Sequence, residues 1–559
     1  MNLKRSNKKP RMMLFCLAVT TLVSPGCKPA EDASVQKNNA STPSGNQVVL
    51  VPQEVKDEPA VKESVASNSL VSATTKSVPE DNLAHDAVAI SGDLDSVDWD
   101  SLIGREVSVS GNLVIVDTHD LVRRGQVTVA RKRLYVPTGQ IDPNDADPDA
   151  TSFEGGSNVA KVVAAQKLND QATFIIDDGS ANQNIFPPTL FPKLGETDPT
   201  VRVGSVIKGV SGKMVKAGNT LLLVANQPLN WAPAPRPKRP DVGETNVTVS
   251  SFNVLNYFTT IDNGSNGARG ANSESEFNRQ EAKIVSALIA LNADVIGLME
   301  IENNLRAEQQ LVAALNKELG EEAFKGCGLP TDFRSVPGGS DAIRVAMIYR
   351  CDRVTPVGDV SLITDEAFEN ARTPIVQKFK SKTAGDPFKV IVNHFKSKGG
   401  ASRANVANKN KGDGQGAYNA ARRSQAIAIC NYVEQQKQVD AKARILVIGD
   451  LNAYGQEDPI DVMRAKGLVD LREQLERASG SEDGEADYSF NFRGQSGNLD
   501  HAMATQAMAA DVTGIATWHI NSDEPRFLDY NQEYNPKPLY QVNPFRSSDH
   551  DPVLIGIRN

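Results

Sequence analysis

The spacing of hydrophobic positions changes along the chain and divides it into parts. Residues 28–85 show no sustained period, residues 86–235 alternate apolar and polar positions in short runs, and residues 245–559 place apolar runs before stretches of helical spacing. Alternation is typical of half-buried strands, and apolar positions three or four apart are typical of helices. The pattern therefore predicts a β-rich part followed by a larger part that mixes strands and helices.

Alternating runs predict the strands of the β-rich part. They are EVSVSGNLVIV (106–116), QVTVARKRLYV (126–136), ATFIIDD (172–178), VRVGSVIKGVSGKMVKA (201–217) and TLLLVAN (220–226). Short strands separated by Gly, Asp and Asn predict a small all-β barrel over residues 86–235. Such a barrel can be purely structural, and no ladder of aromatic side chains marks a binding face. The Pro-rich run 232–240 would join it stiffly to a second domain with its own core.

The N-terminal residues have the pattern of an export signal. Basic side chains precede an apolar run from Met12 to Val23, which is too short to span a bilayer as a mature helix. Gly26-Cys27 resembles the end of a bacterial lipobox, so residues 1–27 would be removed up to a lipidated Cys27; ordinary signal-peptidase cleavage is the alternative. Residues 28–85 predict a disordered tether. We therefore expect an exported protein, either an outer-membrane or cell-surface lipoprotein or a secreted one.

Polar side chains stand at the ends of the apolar runs in residues 245–559. These are Asn253 in VTVSSFNVLNYF, Glu300 in ADVIGLMEIENN, His394 in FKVIVNHFKS, Asp450 and Asn452 in ARILVIGDLNAYG, Asp500 in NLDHAMA, and Asp549 with His550 in FRSSDHDPVL. Singly, each could be an ordinary turn, cap or surface residue. Together they predict one site, because runs too apolar for the surface carry all of them to strand ends.

The residue types in this set suit the cleavage of phosphoesters. Carboxylate and amide oxygens are hard ligands that favour Mg²⁺, Mn²⁺ or Ca²⁺ over zinc. The six His and five Cys are too scattered for a structural zinc site. Imidazoles beside carboxylates supply acid and base groups near neutral pH. Phosphodiester hydrolysis needs those groups, a divalent cation and donors to the developing charge.

The order of the motifs resembles a known superfamily. FNVLN, ADVIGLMEIEN, VNHFKSKG, GDLNAY, LDH and SSDHDPV look like the endonuclease/exonuclease/phosphatase superfamily, and GDGQG, EDPI, WHINSDEP and DYN resemble its bacterial extracellular deoxyribonucleases. The resemblance covers residues 245–559 and implies an α+β fold, a four-layer α/β/β/α sandwich. Residues 86–235 are similar to the oligonucleotide/oligosaccharide-binding (OB) barrel found ahead of some secreted nucleases.

The resemblance implies a metal shell. Glu300 would bind the metal directly, and Asn253 and Asp549 would complete the shell. The cofactor would be Mg²⁺ or Mn²⁺, with Ca²⁺ as a further candidate.

The resemblance also implies catalytic roles. Asp450 and Asn452 would orient the attacking water and hold the scissile phosphate. His550 would be the general base, kept in one tautomer by Asp500. His394 would neutralise charge on the phosphate or protonate the leaving oxygen. His501 would be structural.

A basic strip follows His394 directly. Its members are Lys396, Lys398, Arg403, Lys409, Lys411, Arg422 and Arg423. Contact with a phosphate backbone needs such a strip and no code for reading bases. We expect Lys396, Lys398 and Arg422 to bind substrate; the alternative is a solvated loop.

Cysteine usage departs from the resembling nucleases at one point. Those enzymes often carry Cys-Trp after GDGQG, where this chain has Ala417 and Tyr418, so Cys430 would have no partner. Cys327 and Cys351 are the remaining pair at moderate separation, and we expect them to form a disulfide in an oxidising compartment.

The leading functional hypothesis is an exported, divalent-metal-dependent deoxyribonuclease of low sequence specificity, with RNA as a second candidate substrate. One alternative is a phosphodiesterase or phosphatase on lipid or inositol phosphates, which would need a membrane-docking loop that the sequence lacks. Another is a catalytically silent surface protein that binds nucleic acid, yet every catalytic candidate is present. Because the net charge is −9, binding DNA requires a local basic surface. No protein partner is evident.

Overall fold

The structure, a computed structural model, describes residues 87–144, 158–196, 200–218, 220–479, 486–536 and 539–558. The export signal (1–27), the lipid anchor at Cys27 and the tether (28–85) lie outside the described residues. Across the described ranges, no helix has the length and apolar character needed to cross a membrane.

The β-rich part forms a ring of strands. Its described elements are β1 (Val88–Ile90), β2 (Glu106–Asp117), α1 (Leu121–Arg124), β3 (Val127–Ala130), β4 (Leu134–Tyr135), α2 (Val159–Gln171), β5 (Phe174–Asp177), β6 (Val206–Ala217), β7 (Thr220–Ala225) and β8 (Trp231–Ala232). Strands β2, β3, β5, β7 and β6 pair in that order, and the pairing of β6 with β2 closes the ring. The ring is a small barrel, and its likeness to OB barrels stays a prediction.

The mixed part contains two large sheets and a short hairpin that pairs with the barrel. Its elements are β9 (Val247–Tyr257), α3 (Glu274–Leu291), β10 (Val295–Glu302), α4 (Leu305–Leu319), β11 (Phe324–Gly326), β12 (Ile343–Arg350), β13 (Val354–Pro356), β14 (Ser361–Leu362), β15 (Ile375–Ser381), β16 (Phe388–His394), α5 (Asn419–Val439), β17 (Ile445–Asp450), α6 (Asp458–Ala465), β18 (Val469–Asp470), α7 (Leu471–Ser479), β19 (Phe490–Phe492), β20 (Gln495–Gly497), β21 (Asp500–Ala504), α8 (Gln506–Ala509), β22 (Val512–Thr517) and β23 (Val553–Ile557). One sheet runs β11-β12-β10-β9-β23-β22 and the other β13-β15-β16-β17-β21-β18, with β14 on β15.

Three apolar layers stack these sheets and helices. Side chains of β9, β10 and β12 meet those of β16 and β17 between the two sheets. The outer face of the first sheet packs against α3 and α4, and that of the second packs against α5 and α6. Strands covered on both faces are apolar at nearly every position, which is why these runs do not alternate. The four-layer α/β/β/α sandwich implied by the resemblance is confirmed.

Helix α4 begins where strand β10 ends. The side chain of Asn304 accepts the N–H of Ala307 at 2.8 Å, and Gly320 ends the helix with a left-handed φ of 71°. These are ordinary start and stop signals. They fix the chain immediately after Glu302, so the end of β10 is held in place.

The predicted disulfide between Cys327 and Cys351 is absent, and both thiols are free. The N–H of Cys327 donates to the carbonyl of Met347 at 2.9 Å in the β11–β12 ladder. Cys327 therefore lies four residues along the ladder from Cys351, about 13 Å at the rise of a strand. A disulfide requires Cα atoms within about 7 Å. The prediction was wrong because sequence separation does not reveal strand register.

Buried ion pairs join the barrel to the sandwich. Asp523 pairs with Arg133 at 2.9 Å, and Glu524 pairs with Arg202 at 3.0 Å and with Arg236 at 2.9 Å. Burial raises the pKa of Asp523, but the charges of Arg133 and Arg202 outweigh burial and hold that pKa below its ordinary value. All described residues lie in one unit, Pro79–Asn559. The Pro-rich run, which contains Arg236, is therefore packed rather than a free spacer.

Gly297 permits the close approach of the two sheets. A Cβ atom added there would lie 2.8 Å from Val392 and 2.9 Å from Ile448. We predict that Gly297→Ala lowers the free energy of unfolding by about 1–3 kcal/mol through overpacking. Gly92→Ala is the control, since nothing lies within 4 Å of its added Cβ. Denaturant titration of both variants checks this, and equal midpoints for the two would contradict the packing described here.

Candidate active site

Neighbouring strand ends gather the polar side chains at one edge of the sandwich. Strands β16 and β17 are parallel, with His394 opposite Asp450, and antiparallel β21 places Asp500 opposite Asp450. In the other sheet, Asn253 of β9 lies opposite Met299, one residue before Glu300 in parallel β10. Parallel neighbours end at the same edge of a sheet, so stacking the sheets brings these ends together.

Glu300 owes its direction to a bulge. Its φ is 63°, and the pairing of β10 with both neighbouring strands shifts register at this point. A left-handed residue in a bulge leaves the strand alternation and aims its side chain along the strand end. The carboxylate accepts the N–H of Asn256 at 3.1 Å. The left-handed conformation of Glu300 therefore orients its carboxylate into the site.

Asp450 is the buried centre of the cluster. Its Oδ2 lies 3.3 Å from His394 Nε2, 3.2 Å from Asn253 Nδ2 and 3.9 Å from His550 Nε2. Its Oδ1 accepts the N–H of Asn452 at 2.9 Å. Burial raises the pKa of Asp450, but His550 and His394 outweigh it and hold that pKa below its ordinary value. Asp450 is therefore an ionised carboxylate between two imidazoles.

His550 is held by a carboxylate behind it. Its Nδ1 lies 2.8 Å from Asp500 Oδ2, which also accepts the hydroxyl of Ser489 at 2.6 Å. Nδ1 therefore carries a proton and Nε2 faces the cluster, which is the orientation that the resemblance implies. Burial lowers the pKa of His550, but the charges of Asp500 and Asp450 raise it well above its ordinary value.

His394 has the opposite character. Burial, reinforced by the charge of Arg372, lowers its pKa to about 4. Its Nδ1 is buried without a hydrogen-bond partner, and its Nε2 faces Asp450 and, at 4.0 Å, Glu300. A neutral imidazole aimed at carboxylates must place its proton on Nε2. His394 therefore serves as a neutral donor here.

The donor set for a metal is smaller than expected. Burial and then the charge of Asp549 raise the pKa of Glu300, so the two carboxylates repel each other. A divalent cation relieves such repulsion, and Mg²⁺ is commonly bound by one or two carboxylates plus substrate and water. Among the described residues, no group of three or more His, Cys, Asp or Glu has metal-binding geometry. Glu300 and Asp549 thus fit a cation that is completed by substrate.

Asn253 is not arranged as a metal ligand, which corrects its predicted role. Its Oδ1 accepts the N–H of Leu255 at 3.1 Å, and its Nδ2 faces Asp450 and, at 3.4 Å, Glu300. Two carboxylates require the amide nitrogen on their side. Asn253 therefore positions them as a donor.

Asn452 shapes the turn after β17. Its φ is 48°, and its Nδ2 donates to the carbonyl of Phe395 at 3.3 Å. This bond ties the ends of β16 and β17 together beyond His394 and Asp450. The Nε2–H of His501, the neighbour of Asp500, donates to the carbonyl oxygen of Ala453 at 2.8 Å, a contact that suits the structural role predicted for it.

Arg372 belongs to the site although the sequence did not single it out. It is buried, donates to the carbonyl of Phe395 at 2.8 Å and lies 3.9 Å from Asp341. Its positive charge interacts favourably with the negative charges of Glu300 and Asp450. Within ARTPIV, an Arg before a strand resembles any surface Arg, so no sequence signal marked it.

The basic strip divides between structure and surface. Arg422 is fully buried and donates to the carbonyls of Gln415 and Ala417 at 2.8 Å. Lys398 Nζ lies 2.5 Å from Glu457. These two were predicted to bind substrate, and the structure corrects this, because loop carbonyls and a buried carboxylate already occupy them.

Lys396 keeps a place near the site. It is half-buried, with Nζ 4.4 Å from the centre of the Tyr418 ring. Burial and then the charge of Arg372 lower the pKa of Lys396, which places its ammonium in the same positive region as Arg372.

The mixed part of the chain is similar to known proteins. The family described as Endonuclease/Exonuclease/phosphatase family matches residues 250–550. The fold resembles the human Nocturnin catalytic domain with bound sulfate anion (16% identity, TM-score 0.35, 55% of this chain and 93% of that chain). It also resembles Bacteroides thetaiotaomicron VPI-5482 mannosyl-6-phosphatase Bt3783, with 17% identity, a TM-score of 0.36, and coverage of 56% of this chain and 100% of that chain. A third similar structure is D. rerio TDP2 complexed with single strand DNA product, with 14% identity, a TM-score of 0.35, and coverage of 56% of this chain and 99% of that chain. These likenesses are too distant to bear on this chain's substrate. No curated protein matches the sequence.

Gly449 sets the spacing of His394 and Asp450. Its φ is 141°, and an added Cβ would lie 2.0 Å from the carbonyl oxygen of Asn393. We predict that Gly449→Ala forces β16 and β17 apart and lowers turnover about 100-fold. Gly455→Ala, whose added Cβ meets only an ordinary contact at 3.5 Å, is the control. Steady-state kinetics of both variants test this, and unchanged turnover in Gly449→Ala would contradict it.

Proposed function

Because the chain belongs to the endonuclease/exonuclease/phosphatase family over residues 250–550, we propose that it is a divalent-metal-dependent nuclease that hydrolyses phosphodiester bonds of DNA. One observation carries the proposal: ionised Asp450 lies between a neutral His394 and a carboxylate-held His550, beside the carboxylates of Glu300 and Asp549. This arrangement offers a proton acceptor, neutral donors and a cation position within one pocket.

The residues of the chain divide the reaction between them. His550 presents Nε2 toward water, and Asp500 holds the protonated Nδ1 so that the imidazole can accept a proton. Asp450 orients that water. Asn253 and His394 donate to Asp450, which keeps that carboxylate directed at the water and holds the attacking oxygen in line with the phosphorus.

The cation would be held by Glu300 and Asp549. When bound, it would neutralise charge on the phosphate and offset the carboxylates that keep the pKa of His550 high.

Positive charge around the site supports a polyanionic substrate. Arg372 lies behind the cluster, and Arg269 lies 3.6 Å from Asp341 on the same side. Exposed Arg403 and Lys409 follow on the loop after β16. These cations would contact backbone phosphates rather than base edges, so we propose low sequence specificity. With the predicted export signal, the substrate would be extracellular DNA.

A substrate panel tests the proposal directly. The purified chain would be incubated with supercoiled plasmid, linear duplex, RNA, sphingomyelin and an inositol phosphate, each with Mg²⁺ or Mn²⁺. We expect plasmid to pass through nicked circles, because internal cleavage releases supercoils first. Preferential hydrolysis of sphingomyelin or the inositol phosphate would replace the nuclease with a lipid or inositol phosphoesterase. If none of these substrates is hydrolysed, the result would favour the silent nucleic-acid-binding protein.

Metal removal should abolish hydrolysis. We predict that excess EDTA stops cleavage of plasmid and that added Mg²⁺ or Mn²⁺ restores it, because Glu300 and Asp549 need a cation to offset their charges. Mn²⁺ binding followed by electron paramagnetic resonance should weaken in Glu300→Gln. Full activity in EDTA, or unchanged Mn²⁺ binding in that variant, would contradict the assigned site.

Two substitutions separate catalysis from binding. We predict that His550→Ala and Asp450→Ala each lower turnover by about 10²–10⁴-fold while DNA binding survives, because both act on the transition state. Asp359→Ala, at an exposed carboxylate, is the control. Turnover and filter binding would be measured together. Near-normal turnover at either catalytic position would refute its role.

A further inference from the structure

A short hairpin connects the site to the barrel. Strands β19 and β20 are joined by Arg493 and Gly494, with φ of 52° and 79°, which is the turn expected for a tight two-residue hairpin. Strand β20 continues in parallel pairing with β4 of the barrel. Gly494 also packs on Val116, since an added Cβ there would lie 3.1 Å from it. The hairpin is therefore fixed on both sides.

The hairpin carries aromatic rings outward from the catalytic imidazole. The ring of Phe490 lies 4.6 Å from that of His550, and Phe492, on the same strand face, follows 6.4 Å further at an angle of 15°. Phe492 is 55% exposed, and the guanidinium of Arg493 lies 5.2 Å from its ring centre. Phe492 thus presents an open ring face beside a guanidinium.

Two cavities continue from this hairpin along the barrel. The first, of about 440 Å³, is lined among others by Asn491, Phe492, Arg493 and His119. The second, of about 420 Å³, is lined among others by His119, Arg123, Asn184, Arg526 and Tyr534. They share His119, whose Nε2 lies 3.4 Å from Arg526 Nη1. We call the two together the seam groove.

The side chains of the seam groove favour a single nucleic-acid strand. Exposed rings at Phe492 and at Tyr534, which is 72% exposed, offer stacking faces to bases of any sequence. Three Arg side chains and several amides offer donors to phosphates and base edges.

The groove also contains carboxylates. Glu533 lines the second cavity, and Asp117 and Asp120 line the first. Asp117 accepts the N–H of His119 at 2.7 Å, and Asp120 lies 3.8 Å from Arg124. The mixture lacks the broad positive field that a duplex requires, which favours stacking over a purely electrostatic contact.

We propose that the seam groove binds the single strand that leads away from the scissile phosphate, with bases stacking on Phe492 and then on Tyr534. The inference rests on the proposed nuclease function and adds the path of its substrate. It gives the barrel a defined part in the reaction, because His119 and Arg123 belong to the barrel.

A length series of single-stranded oligonucleotides tests the groove on the full chain. We expect Phe492→Ala to raise KM about tenfold on strands of about 12 nucleotides, with kcat little changed, and to leave strands of about 4 nucleotides unaffected. Tyr534→Ala should also raise KM, but only for longer strands than Phe492→Ala does. Tyr534 lies further from His550 along the seam groove, so a short strand does not reach it. Phe186→Ala, at an exposed ring that lines neither cavity, should match the unchanged protein.

A binding measurement separates this inference from the proposed function. In EDTA, a strand carrying 2-aminopurine should lose fluorescence on binding, and Phe492→Ala should reduce that loss. Unchanged KM at every length, or unchanged quenching in Phe492→Ala, overturns the groove even if the protein cleaves DNA. If the protein cleaves no nucleic acid, the proposed function fails. Quenching that depends on Phe492 would then still support the groove, and its absence would overturn it.

Discussion

Burying the carboxylate of Asp450 between two stacked sheets is the constraint on which the site depends. A buried charge is tolerated only when it is fully paired. His394 comes from the neighbouring strand, Asn253 from the opposite sheet and His550 from the segment before the last strand. Pairing one carboxylate thus requires the register of β16 on β17 and the face-to-face packing of both sheets, which Gly449 and Gly297 permit.

The pairing of buried charges also binds the barrel to the sandwich. Asp523 and Glu524 are buried, and three Arg side chains from the barrel and the Pro-rich run pair with them. Removing one partner of such a pair typically costs about 3–5 kcal/mol, because the other charge stays buried. The separate domain expected for residues 245–559 would leave both carboxylates without these Arg partners. The barrel is therefore part of the scaffold that holds the hairpin beside His550.

The sequence revealed the site wherever an apolar run ended in a polar residue. His394, Asp450 and Asp500 were found this way because strand ends are a local pattern. The side-chain contacts were not local: the orientation of Asn253, the burial of Arg422 and the separation of Cys327 from Cys351 depend on partners distant in sequence. Local pattern therefore predicted the mixed part and the cluster, and the family resemblance implied the four layers, while register and pairing had to come from the structure.

The central claim is that strand ends of both sheets form one cation and phosphate pocket. Anomalous diffraction from crystals soaked in Mn²⁺ measures it most directly. We expect a peak in contact with the carboxylates of Glu300 and Asp549, with Asn253 Nδ2 turned toward Asp450 rather than toward the ion. A peak elsewhere, or one ligated by Asn253 without Glu300, would contradict the account.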